Sequence, residues 1–319
     1  MPTKDLSGKK ILVTGGAGFL GRQVVASLQR RRCGSIVVPR RADTDLTDSL
    51  ATRKLFATVK PDVVIHLAAE VGGIGANQLS PGRFLYANMM MGANVIEEAR
   101  RAGTSKVTVI GTVCAYPKFT PVPFKEEELW NGYPEETNAP YGLAKRLLLV
   151  MGQAYRRQYN LDTIYLLPAN LYGPFDNFDL QSSHVIPAIV RKCVDAVQKK
   201  QAEVVLWGTG EASREFLYVN DAAEGIVLAT ERYEGDEPVN LGVGSEVKIR
   251  DLAQLIGELS GFKGTFRWDA GKPDGQPRRS LDTSRAEREF GFKATVPLKE
   301  GLSKTIAWYL ESLTEKAKG

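Results

Sequence analysis

Lys9-Lys10-Ile11-Leu12-Val13-Thr14-Gly15-Gly16-Ala17-Gly18-Phe19-Leu20-Gly21 is the stretch that decides the fold. Residues 9–13 form an apolar, β-branched run, and the glycine turn after it opens a helical pattern that reaches about residue 32. The first amides of a helix lack partners within it and carry partial positive charge, so such a junction suits an anion. Glycine at 15, 18 and 21 lets the backbone approach a pyrophosphate closely. Three glycines in a turn are weak evidence by themselves. Their place at the first strand–helix junction makes dinucleotide binding the stronger reading, with Gly15, Gly18, Phe19, Leu20 and Gly21 as contacts.

Outward from this turn, apolar runs at 35–38, 62–67, 106–110 and 163–167 alternate with helical patterns at 49–59, 81–102 and 141–159. This predicts an α/β fold, a Rossmann-type doubly wound parallel sheet with helices on both faces. Strands covered on both faces read as continuous apolar runs, as these do. After Pro168 the rhythm breaks. Residues 171–183 read as loop, 185–200 as helix, 203–206 and 215–219 as strands, 221–232 as helix and 238–241 as a sixth strand. Amphipathic helices are expected at 249–259 and 298–313, with a polar tail from Glu315 expected to fray. The expected division is discontinuous: residues 1–168 plus 214–246 form the dinucleotide-binding domain, and 169–213 plus 247–319 a smaller C-terminal α/β substrate lobe.

Composition bounds the function classes. The 319 residues are 43% hydrophobic and 25% charged, as in an ordinary globular protein. Lys plus Arg number 42 against 37 Asp plus Glu, a net charge of +5 spread along the chain. No basic run interleaved with aromatics suggests nucleic acid, whereas a mild positive balance suits a phosphate-rich small molecule. Cys33, Cys114 and Cys193 have no disulfide or metal spacing, so no metal is expected. No apolar run approaches the ~20 residues that span a membrane, and a reducing cytoplasm is the expected compartment.

The second strand runs into Pro39-Arg40-Arg41, where an acidic residue would select NAD through the ribose 2′-hydroxyl. Arginine pairs instead with a 2′-phosphate, which points to NADP(H), with Asp45 placed near the adenine. Tyr141 and Lys145, spaced i, i+4, share a helix face. An ammonium beside the phenol is expected to lower its pKa and let it exchange a proton near neutrality. The pattern is cheap alone. Its weight comes from opening a helix some thirty residues after a strand that ends in Gly111-Thr112.

Thr14-Gly15-x-x-Gly18-x-x-Gly21, His66-Leu67-Ala68-Ala69, Thr112, Tyr141-x-x-x-Lys145 and Asn170-Leu171-Tyr172-Gly173-Pro174 occur here in one order. In these residues the chain resembles the extended short-chain dehydrogenase/reductase family over nearly its whole length. Longer strings narrow the resemblance: Val71-Gly72-Gly73-Ile74, Cys114-Ala115-Tyr116-Pro117-Lys118, Asp176-Asn177-Phe178, Ser183-His184-Val185-Ile186-Pro187, Trp207-Gly208-Thr209-Gly210, Arg214-Glu215-Phe216 and Lys272-Pro273-Asp274-Gly275. They are similar to the branch that epimerises C3 and C5 of a GDP-4-keto-6-deoxy sugar and then reduces C4 with NADPH. The implied substrate is GDP-4-keto-6-deoxymannose.

The resemblance implies roles. Tyr141 protonates the C4 oxygen, Thr112 hydrogen-bonds it, and Lys145 tunes Tyr141 and holds the nicotinamide ribose. Cys114 and His184 act as base and acid in epimerisation. Leu67, Ala68, Ala69, Pro168, Asn170 and Leu171 join the cofactor site. Asn170, His184, Arg191, Trp207, Arg214 and Lys272 join the substrate site, and Arg278 or Arg279 adds charge there. If the chain stays extended past the fourth strand, Cys114 points the same way as Thr112. Cys33, Cys193 and His66 are expected to pack structurally. The branch usually carries Ser where Thr112 stands; the hydroxyl survives, and the added methyl leaves the exact sugar open. Family members imply a homodimer built from helices 81–102 and 141–159. Two rivals share the fold: an NAD-recycling nucleotide-sugar 4-epimerase or dehydratase, and a catalytically silent dinucleotide sensor. Arg40, Arg41 and Cys114 argue against the first, and the intact Thr112, Tyr141 and Lys145 against the second.

Overall fold

The computed structural model describes residues 5–272 and 274–318. Six strands form a wholly parallel sheet: β1 (Lys10–Thr14), β2 (Ser35–Val37), β3 (Val63–His66), β4 (Lys106–Ile110), β5 (Asp162–Pro168) and β10 (Val239–Leu241). Their order is β10-β5-β4-β3-β1-β2, so the chain reverses direction across the sheet at β1. Ligands of such sheets bind at the carboxyl ends of the strands beside that reversal. Register brings those ends level: Thr14 pairs with His66, and His66 with Val109.

Helix α1 (Phe19–Arg30) packs with α7 (Val219–Arg232) on one face. Helices α2 (Ser49–Val59), α4 (Pro81–Ala102) and α5 (Ala139–Tyr159) cover the other, and the short α3 (Ile74–Leu79) leads into α4. The core between them draws on Ile11, Leu12, Val13, Val63, Val64, Ile65, Val107 and Val109, all fully buried. Each such side chain contributes roughly 1.5–3 kcal/mol by leaving water.

A second core lies beyond β5. It joins β6 (Asn170–Tyr172), α6 (Val185–Gln198), β7 (Glu203–Trp207), β9 (Phe216–Tyr218), α8 (Ile249–Ser260) and α10 (Leu298–Lys318) through Tyr172, Ile189, Val190, Leu206, Ile256 and Leu302. Smaller elements complete the fold: β8 (Ser213–Arg214), β11 (Val247–Lys248), β12 (Thr265–Asp269) and α9 (Ser284–Phe290).

Several expectations need correction. Residues 171–183 do not begin as loop, because β6 pairs in parallel with β9. The strand expected at 215–219 is present as β9, paired with β6, and a separate short strand before it, β8, pairs with β11. Helix α5 starts at Ala139, with Pro140 in its first turn, where no amide partner is needed. Helix α10 extends through the expected tail to Lys318. Helices α3 and α9 and strand β12 were not anticipated. Among the described residues no helix is long and apolar enough to cross a membrane.

Candidate active site

The glycine turn closes tightly on the next strand. Gly15 has φ +71°, and a Cβ there would stand 2.7 Å from the amide of Ala68, so only glycine fits. Leu67 N donates to the Thr14 carbonyl at 3.1 Å and Ala68 N to Thr14 Oγ1 at 3.3 Å, fixing Leu67-Ala68-Ala69 beside the turn. Gly21 is equally constrained, since its Cβ would fall 2.1 Å from the Gly15 carbonyl oxygen. Gly18 caps α1 without a side-chain bond and is exposed, leaving the helix amides from Phe19 and Leu20 onward at an open face. This backbone fits a dinucleotide pyrophosphate. Asp45 accepts from Thr47 N at 2.9 Å and shapes the loop after β2. Arg40 lines a cleft with Gly16, Ala17 and Val38, while Arg41 is drawn to Glu70, its Nη1 at 3.0 Å from Oε1.

At the end of β4, Gly111 makes room for a neighbour, because a Cβ there would overlap the Tyr165 ring at 2.4 Å. Thr112 then caps a short 3-10 turn, Val113–Ala115, with its Oγ1 accepting from Cys114 N at 3.2 Å. The chain therefore does not stay extended, and the alternation argument for Cys114 fails. Cys114 reaches the site by the turn instead. Its sulfur accepts from Arg279 Nη1 at 3.5 Å. Gly142 seats α5 on this turn, where a Cβ would meet the Cys114 carbonyl oxygen at 2.6 Å.

Tyr141 is buried and lies close enough to Cys114 to sense its charge. Lys145 Nζ sits 5.9 Å from the Tyr141 ring centroid. The expected lowering of the Tyr141 pKa is not seen. Burial pushes the phenol well above its ordinary value, with the neighbouring Cys114 adding to the rise. Burial also pulls Lys145 down to about 8. His66 is buried, shares a 2.8 Å hydrogen bond with Thr14 through Nδ1, and is held down to about 3 by burial and by Lys145. It stays neutral beneath the site.

Lys145 yields a stability prediction. Its fall from 10.5 to about 8 corresponds to about 3 kcal/mol against the folded ammonium. That cost is full below about pH 8 and fades as pH rises toward 10.5. Lys145→Met is expected to melt several degrees above the parent at pH 7, to lose that advantage near pH 10, and to be inactive. Thermal melts at the two pH values check this; a lower melting point at pH 7 refutes it.

The segment before α6 is built by its own side chains. Asp179 Oδ1 accepts from Gln181 N at 3.0 Å and Ser182 N at 3.1 Å, and Asn177 Nδ2 donates to Ser182 Oγ at 2.8 Å. Gly73 N donates to the Ser182 carbonyl at 3.2 Å, and a Cβ at Gly73 would press to 2.8 Å on the Ser183 oxygen. These two strings interlock and deliver His184 as the N-cap of α6. His184 is exposed, yet the protein mass around its ring holds its pKa below the ordinary imidazole value. Among the described residues no hydrogen bond ties it to the Cys114 cluster.

Asn170 Nδ2 donates to the Glu215 carbonyl at 2.9 Å, between Pro168 and Leu171 on the crossing from β5 to β6. Arg214 is half-buried, donates to the Asp274 carbonyl at 2.9 Å and has its pKa lowered to about 10 by burial and by Arg279. Thr209 N and Oγ1 both donate to the Asp274 carboxylate at 2.8 Å. This turn presents Trp207, 54% exposed, with Lys272 Nζ 5.3 Å from its ring centroid. Pro273 of the same string lies outside the described residues. Arg191 Nη1 donates to the Phe178 carbonyl at 3.0 Å.

Arg278 and Arg279 part company. Arg278 is exposed and bound to Glu246, whereas Arg279 is buried, with Nε and Nη2 on Gln276 Oε1 at 3.1 and 3.0 Å. Two groups escaped the sequence reading. Buried Glu215 accepts from Gly244 N, Val243 N, Leu281 N and Ser280 Oγ, tying the end of β10 to the segment that carries Arg279. Gln276 clamps Arg279 while donating to the Lys118 carbonyl at 2.6 Å. The Arg214-Glu215-Phe216 string was the available signal for Glu215.

Residues 11–242 match the model of the NAD dependent epimerase/dehydratase family. The chain is 43% identical to probable GDP-L-fucose synthase 1 of Oryza sativa subsp. japonica, over 98% of this chain and 95% of that protein. It is 38% identical to GDP-L-fucose synthase of Escherichia coli (strain K12), over 96% and 98% of the two chains. Its fold matches the crystal structure of a GDP-L-fucose synthetase from Naegleria fowleri bound to NADP, with a TM-score of 0.88, 30% identity and 98% coverage of both chains. On its glycine turn, its parallel sheet and these similarities, the chain belongs to the NAD dependent epimerase/dehydratase family.

Proposed function

We propose that this chain is an NADPH-dependent epimerase-reductase that inverts C3 and C5 of GDP-4-keto-6-deoxymannose and reduces C4, giving GDP-L-fucose. The observation that carries the reading is the Cys114 thiol, bonded to a buried guanidinium in the cluster that holds Tyr141 and Lys145. Redox chemistry at a carbinol needs Tyr141 and Lys145; a thiol beside them adds a base.

The C4 ketone makes the protons on C3 and C5 acidic, because the carbanion left behind is an enolate. Cys114 takes each proton, its sulfur held in position by the Arg279 hydrogen bond. His184 returns a proton to the opposite face; a lowered pKa makes its imidazolium the stronger acid. Thr112 Oγ1 already accepts from Cys114 N, which leaves its own hydrogen to donate to the C4 oxygen as charge develops there. NADPH, when bound, supplies the hydride to C4. Tyr141, held as the neutral phenol, protonates the C4 oxygen, and Lys145 holds the nicotinamide ribose. Arg191, Arg214 and Lys272 grip the diphosphate, and Trp207 faces the base.

The same proposal includes the division into residues 1–168 plus 214–246 and 169–213 plus 247–319; the presence of two cores supports two units, although Leu281, Ala286, Phe290 and Phe292 pack in the first core and Phe216 and Tyr218 in the second. It includes a homodimer through α4 and α5, supported by exposed Leu85, Tyr86, Leu147 and Val150 on those helices. A cytoplasmic location suits three free cysteines. The test is incubation with NADPH and a panel of GDP- and UDP-linked 4-keto sugars, with product stereochemistry read by NMR. Stoichiometric NADPH consumption and GDP-L-fucose are expected. Interconversion of hexoses at C4 without net NADPH use overturns the reading in favour of a 4-epimerase.

A further inference from the structure

We infer that Arg22, with Arg40, forms a two-guanidinium clamp for the 2′-phosphate of NADP(H), and that Arg41 is not its principal cation. The inference rests on the cofactor reading above and adds a residue to it. A cleft of about 370 Å³ opens between the first two turns of α1 and the end of β2, lined by Gly16, Ala17, Arg22, Val25, Val38 and Arg40. Gly16 lies against the end of β2, where a Cβ would stand 2.9 Å from both Val38 methyl groups. The cleft thus sits beside the phosphate-binding turn and beneath the strand whose end selects between cofactors.

The charges in the cleft are uncompensated. Arg22 and Arg40 are exposed, and among the described residues neither has a carboxylate within ion-pair reach. Arg41 instead faces Glu70, which Arg83 also holds through Nε at 2.6 Å. A cation already shared with a carboxylate gains less from a phosphate than a free one.

Arg22 is also preorganised. Its Nε donates to the Ala17 carbonyl at 3.0 Å, which leaves both Nη amines without a partner among the described residues. Its guanidinium stacks on the Phe175 ring, 5.0 Å to the centroid. Phe175 takes a left-handed backbone, φ +71°, rare for a bulky residue, and packs in turn on Trp308 at 4.9 Å. A guanidinium held at one nitrogen and on one face loses little freedom when it binds phosphate.

Calorimetric titration with 2′,5′-ADP and with 5′-ADP tests this without turnover. The parent is expected to prefer 2′,5′-ADP. Arg22→Gln and Arg40→Gln are each expected to weaken 2′,5′-ADP about 10-fold or more and 5′-ADP less than 3-fold. Equal losses for both ligands would put Arg22 on the pyrophosphate and overturn the clamp. So would an unchanged 2′,5′-ADP affinity in Arg22→Gln, or a loss confined to Arg41→Gln. A parent with no preference between the ligands refutes the NADP reading itself, a result distinct from failure of the clamp.

Discussion

Given the keto sugar in deuterated buffer without NADPH, Cys114→Ser is expected to incorporate deuterium at C3 and C5 at least ~100-fold more slowly than the parent chain. The serine hydroxyl is nearly isosteric but far too weak an acid to supply an anionic base near neutral pH. The 3-10 turn survives, because its cap uses Thr112 Oγ1 and the residue 114 amide, not the sulfur. His184→Gln is expected to fail differently. It leaves the base in place but removes the donor on the opposite face, so exchange at the proton taken by Cys114 outlasts inversion. NMR follows the loss of each proton signal and the appearance of the inverted ketone separately. Parent-like exchange and inversion in both variants would refute the assignment. A parent rate in Cys114→Ser alone would move the base elsewhere and leave Arg279 holding an idle thiol.

The sheet was legible because its strands carry their burial in their composition. Ile11-Leu12-Val13 and Val63-Val64-Ile65 are buried on both faces and read as unbroken apolar runs. The second lobe was less legible. Strand β12, Thr265–Asp269, alternates polar and aromatic residues between Gly264 and Gly271, a usable strand signal, but its partner β7 lies some sixty residues away. Nothing local announces that pairing. The site divides in the same way. Tyr141 and Lys145 are neighbours by helical spacing, so local geometry joins them. Cys114 joins them through a turn that Thr112 caps, and periodicity cannot report a cap. Arg278 and Arg279 are chemically alike in sequence. In an extended segment they face opposite sides, one to Glu246 in solvent and one to Cys114 in the interior. The direction of the Tyr141 shift was misread because spacing reveals the ammonium but not the burial that outweighs it.

That burial shapes the second large effect. Tyr141→Phe is expected to lower C4 reduction about 10²–10⁴-fold while leaving C3/C5 exchange within a few-fold of the parent. The ring is buried and Gly142 beside it seats α5 on the Cys114 backbone, so phenylalanine keeps both the packing and the position of the thiol. What is lost is the proton for the C4 oxygen. Because burial holds the phenol above its ordinary pKa of 10.0, it stays protonated throughout the working range. Reduction by the parent is therefore not expected to decline between pH 6 and 9 through loss of the Tyr141 proton. In Tyr141→Phe the epimerised ketone accumulates instead of the alcohol. Measuring exchange and NADPH oxidation on the same sample separates the two steps. If Tyr141→Phe reduces at the parent rate, the proton comes from elsewhere. If it loses exchange as fully as reduction, Tyr141 belongs to the epimerisation machinery, and the assignment of Cys114 and His184 as a sufficient acid–base pair fails with it.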